Sequence, residues 1–170
     1  MVLIGGRGLA MPTNKLTRTA MLLALTLVFQ SLRLIWPVPG VALNFIIGSL
    51  VNTVLLTASA TVGIRAGFLI AWAAPVTAYL QGMLPLPVFI VPVAAGNMVY
   101  IMLFCLHNRT GFIPATLLAA AGKTLCLYFS FRWLLTFIDF PAKAATALLT
   151  AMSWPQLITA VAGAVLSKII

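Results

Sequence analysis

Lys123 lies in the stretch AAAGKTLCLYFSFRW, Ala119 to Trp133, which is mostly apolar and holds no Asp or Glu. An ammonium in such surroundings has two uses. Backbone carbonyls or water can hold it, or it can stand ready to pair with a bound anion such as a carboxylate. Other polar groups fall in apolar runs elsewhere: Gln30, Asn52, Gln81, Asn97, Trp154 and Gln156. Amides at such positions either join helices by hydrogen bonds or contact a ligand. Tyr100 and Tyr128 offer rings that can stack on a flat ligand or simply pack. Together these residues suggest a small polar cavity. Catalysis is not suggested: the chain has one acid, Asp139, and one histidine, His107, so no carboxylate pair or metal cluster can form. The chain therefore reads as a binding protein and not an enzyme, with no cofactor.

The elements that must position these groups follow from composition. The 170 residues are 63% hydrophobic and only 6% charged, with a mean hydropathy of +1.16. A soluble domain needs far more charge to cover its surface. The formal charge of +9 comes from ten Lys/Arg against a single acid. These cations are scattered between apolar runs and form no stripe, which excludes a nucleic-acid surface and instead encodes membrane topology. Cys105 and Cys126 both fall in apolar runs, which disfavours a disulfide. No cleavable signal is evident; residues 1–14 read as a flexible tail, with Met11 an alternative start, and 15–170 as one membrane domain.

Six apolar segments are predicted, at about Thr17–Trp36, Asn44–Val62, Ala66–Gly82, Val88–Leu106, Phe112–Ile138 and Ala145–Ile169. The predicted fold is an all-α membrane protein, one bundle of six transmembrane helices. Arg7, Lys15, Arg18, Arg65, Arg109 and Lys168 fall on one side, so the positive-inside rule predicts both termini in the cytoplasm. Arg33 and Arg132 sit at outer helix ends, and Arg132 is predicted to snorkel to the headgroups. The Pro-rich connections WPVPG and MLPLP are predicted to be stiff outer lids.

Depth separates Lys123 from the other cations. It lies about eleven residues, or ~16 Å, from the inner end of its helix, near the midplane. Thr116, Ala119, Leu127 and Ser130 share its side of the helix, a smaller and more polar face that is predicted to point into the bundle. Gln156 shares a stripe with Ser153, Thr159, Gly163 and Ser167, and Pro155 is predicted to kink that helix. Gln30 shares a face with Thr26 and Arg33. The sequence GKT at Gly122–Thr124 is not a phosphate loop, because the glycine required five residues earlier is Leu117.

The layout resembles the substrate-binding S components of energy-coupling factor (ECF) transporters. The resemblance rests on NKLTRTAMLLALTLVFQSLRL, with Ala20 and Ala24 four apart, and on IGSLVNTVLLTASATVGIRAGFLIAWAAPVTAYLQGMLP and VPVAAGNMVYIMLFCL. It implies high-affinity capture of a vitamin or related micronutrient from outside a prokaryotic cell. It also implies docking through Ala20 and Ala24 on a transmembrane T subunit, with two cytoplasmic ATPase subunits supplying energy. Lys123 would then pair the anionic group of the ligand, with Asn97, Gln156, Trp154, Ser130, Tyr100, Gln81 and Gln30 around it. The alternative is a structural membrane subunit resembling the rod-shape-determining membrane protein, which needs no ligand cavity.

Overall fold

The computed structural model describes residues 13–35 and 41–169, and these form helices and short connections without strands. Helix α1 (Thr13–Ile35) is inside out relative to a helix of a water-soluble protein. Its two buried residues are Thr19 and Thr26, while Leu16, Met21, Leu25 and Val28 are exposed. Lipid in place of water explains the inversion, since apolar side chains gain nothing by leaving hydrocarbon. The threonine hydroxyls are satisfied within the helix: Thr19 donates to the Lys15 carbonyl at 2.8 Å and Thr26 to that of Leu22 at 2.9 Å.

Helices α2 (Val41–Thr61) and α3 (Ile64–Leu80) follow, joined by a two-residue turn in which Gly63 has φ +129°. That positive φ suits glycine and lets the chain reverse at once, making the two helices antiparallel neighbours. After α3, Gly82 takes φ +74° and the Met83 N–H reaches the Ala78 carbonyl at 2.8 Å, a Schellman-type stop. The chain then runs through a 3-10 turn (Pro87–Phe89) into α4 (Ile90–Phe104). The four-residue α5 (His107–Thr110) leads to α6 (Phe112–Leu134). Short α7 (Ala142–Ala151) and α8 (Trp154–Ile169) complete the described chain.

Five segments are long and apolar enough to cross a membrane, and Ile64–Leu80 is a shorter apolar helix beside them. The chain is thus an all-α protein with the character of a membrane-embedded bundle. Helix α2 packs most extensively on α8, and α4 on α6. Glycines set the first of these distances: a Cβ on Gly163 would lie 2.5 Å from the Asn52 Cβ and 2.9 Å from the Ser49 carbonyl oxygen.

Two differences from the sequence reading concern boundaries. Thr13 and Asn14, assigned to the tail, are helical; residues 1–12 and the WPVPG loop lie outside the described residues, apart from Ile35 before it. The sixth segment is two helices and not one kinked helix. Pro155 lacks an N–H and is favoured in a first helical turn, which fits the break at Met152–Ser153 and the start of α8 at Trp154.

Candidate functional site

Lys123 occupies the centre of α6, eleven residues from Phe112 and eleven from Leu134. The polar face identified from sequence turns inward: Thr116, Ala119, Lys123 and Leu127 are all buried. Lys123 is only 4% exposed, too enclosed for its ammonium to reach bulk solvent. Its one side-chain hydrogen bond goes across the bundle, from Nζ to Asn52 Oδ1 at 2.5 Å. The Asn52 amide in turn donates to Thr159 Oγ1 at 3.4 Å. A chain of polar groups therefore links α6, α2 and α8 at mid-depth. Beneath it the Tyr100 ring lies 5.2 Å from Nζ, and the Tyr100 hydroxyl donates to the Ala160 carbonyl at 2.5 Å.

Above Lys123 opens a cavity of about 510 Å³. That volume is in the range of small-molecule sites. Its floor and walls include Lys123 and Leu127 of α6, Asn52 of α2 and Asn97 of α4. Phe45 and Trp154, with ring centroids 5.7 Å apart, form one side. Gln30 and Arg33 of α1 and Gln81 and Met83 after α3 border it near one end of the bundle. Leu148, Thr150 and Ala151 bring α7 over it. No acid lines it: the chain's single acid, Asp139, is exposed in the α6–α7 connection.

Free carbonyls prepare this lining. Pro75 lies inside α3 and has no N–H to give the carbonyl four residues back, Ala71. The Asn97 side chain donates to that carbonyl at 3.4 Å. The end of α7 leaves the Ala151 carbonyl without a helical partner, and the Gln156 amide reaches it at 3.5 Å. Each amide is thus anchored through its nitrogen by a carbonyl that no helical N–H occupies. Gln30 Nε2 similarly donates to the Ala74 carbonyl at 2.9 Å, leaving its Oε1 buried without a partner among the described residues.

Of the residues singled out from sequence, Lys123, Asn97, Gln156, Trp154, Gln81 and Gln30 line one cavity. Tyr100 and Ser130 do not. Tyr100 is fully buried, and its ring faces the Lys123 ammonium and not the ligand space, so it supports the lysine from below. Ser130 is half-buried nearly two turns beyond Lys123, outside the lining. Tyr128 also lies outside, edge-on to Phe129. Ala20 and Ala24 are exposed on α1.

Arg33 is the residue that sequence reasoning left out of the site. Placed only at an outer helix end, it lines the cavity, half-buried, with one guanidinium nitrogen on the Met83 sulfur and its Nε buried without a partner among the described residues. Its shared face with Gln30 was the available signal. Arg132 does project outward and is exposed. No family model, curated protein or solved structure matches this chain. Its function is therefore to be sought in the chemistry of the cavity.

Proposed function

We propose that this protein binds a small anionic micronutrient, of the vitamin class, from outside a prokaryotic cell and delivers it through an ECF-type ATP-driven importer. The observation that carries the reading is Lys123. A cation at the centre of a membrane helix costs about 2.5–3.5 kcal/mol or more. Here it has one neutral side-chain hydrogen-bond partner, a cavity above it and no acid lining that cavity. A bound carboxylate or phosphate supplies the missing counter-charge, and the surrounding amides supply donors and acceptors that fix its orientation. Scaffolding requires no such cavity.

With the termini in the cytoplasm, the cavity lies toward the outer end of the bundle, under the α3–α4 connection and α7. Thermal unfolding of the detergent-purified protein against a panel of vitamins and precursors tests the reading. One acidic compound is expected to raise Tm, and Lys123→Ala to weaken its binding by at least about thirtyfold, the loss of a buried charge pair. No stabilisation by any compound would favour the scaffold reading.

The delivery step rests on α1. Ala20 and Ala24 leave a small, unoccupied stretch on its outer face. Small side chains permit close helix approach, so a T subunit seated there would be blocked by bulk. Ala24→Trp is expected to abolish uptake in cells while the purified variant still binds its compound. Full uptake by the variant would place docking elsewhere.

A further inference from the structure

Arg33 gives the cavity a second cation, and the two are far apart. Lys123 is eleven residues from the end of α6, whereas Arg33 is two residues from the end of α1. Their partners separate them along the bundle, since Arg33 meets Met83 beyond the end of α3 whereas Lys123 meets Asn52 in the middle of α2. Neither cation faces an acid. Among the described residues the one hydrogen bond of Arg33 goes to a thioether, a weak acceptor, and its Nε is buried without a partner. One turn earlier, Gln30 Oε1 is also buried without a partner among the described residues, so a donor and an acceptor lie unsatisfied on two residues that line the cavity.

Resting on the binding function proposed above, we infer that the cavity takes an elongated dianion, one anionic group on Lys123 and the other on Arg33. A monoanion seated on Lys123 would leave the guanidinium facing a cavity emptied of water. The guanidinium fork matches a carboxylate or phosphate in two parallel hydrogen bonds, which an ammonium cannot do. Gln30 Oε1 then accepts from a hydroxyl or N–H beside that second anion. A purely steering role for Arg33 differs in its consequence. Steering raises the entry rate of anions generally and vanishes with salt, without distinguishing one-charged from two-charged ligands at equilibrium.

The test uses the full chain in detergent at moderate salt. Straight-chain α,ω-dicarboxylates from succinate upward are compared with monocarboxylates of equal chain length, with affinity read from thermal shift. Wild type is expected to prefer diacids of intermediate length over matched monoacids by about tenfold, the value of one charge-assisted hydrogen bond. Arg33→Gln collapses that ratio toward one, whereas Lys123→Met weakens both series. Arg33→Lys, which keeps the charge and loses the fork, retains part of the preference and guards against a variant that fails to fold. Equal affinity for both series, an unchanged ratio in Arg33→Gln, or no stabilisation by any diacid overturns the dianion. A monoacidic micronutrient that stabilises wild type through Lys123 would leave the binding function standing while this inference falls.

Discussion

Lys123→Met is expected to abolish stabilisation by the acidic compound yet leave the unliganded protein melting no lower than wild type. Two opposing terms set the sign. Removing a cation from the centre of the bundle relieves about 2.5–3.5 kcal/mol or more. Losing the bond to Asn52 orphans its Oδ1, at about 1–3 kcal/mol. Methionine is similar in length and volume, so no cavity term is added. The relief at least matches the loss. A lysine kept to hold α6 against α2 predicts the reverse. Breaking that bond with no relief to offset it would cost about 1–3 kcal/mol and lower Tm. Thermal unfolding of wild type and variant, with and without the stabilising compound, separates the two. A variant that melts lower and still responds to the compound would make Lys123 structural.

The second large effect lies at the α2–α8 contact. Gly163→Ala should destabilise the protein, by about 1–3 kcal/mol of overpacking that exceeds the ~1 kcal/mol alanine gains in helix propensity. The added methyl would meet the Asn52 Cβ and the Ser49 carbonyl oxygen, atoms that cannot rotate away. Helix α2 must move, carrying Asn52 and loosening its bonds to Lys123 and Thr159. Ligand affinity should fall with stability. Gly122→Ala is the control: its methyl meets the tip of the Leu103 side chain, which can turn aside. Chemical or thermal unfolding of both variants should show opposite or clearly unequal shifts. Equal losses would mean that the α2–α8 distance does not govern the site.

These effects also mark how far local reasoning reaches. The inward face of α6 was legible because helical periodicity is a local property. Lys123, Thr116, Ala119 and Leu127 share it whatever surrounds them, and all four are buried. Depth was legible for the same reason, since residues counted from a helix end convert directly into distance. Arg33 was left out of the site because whether a long side chain at a helix end turns outward or inward depends on how that helix is rotated against its neighbours. Only the packed bundle sets that rotation. Tyr100 was misplaced because a ring on the correct helix can lie above or beneath the lysine, and the Ala160 carbonyl holds it beneath. The two free carbonyls were half legible: Pro75 inside α3 and Pro155 at the start of α8 marked where the helical ladder is interrupted, but the partners Asn97 and Gln156 depend on which groups come within reach.

By itself, then, the sequence determined the medium, the helical segments and one deep, uncompensated cation. Hydropathy, charge placement and the 3.6-residue period act along the chain and need no partner. The tertiary structure decided that Asn52 meets Lys123, that Arg33 turns into the cavity and that α7 folds over it. Those outcomes arise between helices distant in sequence. Close-approach glycines, freed carbonyls and the requirement that buried polar groups find partners select one packing there from many.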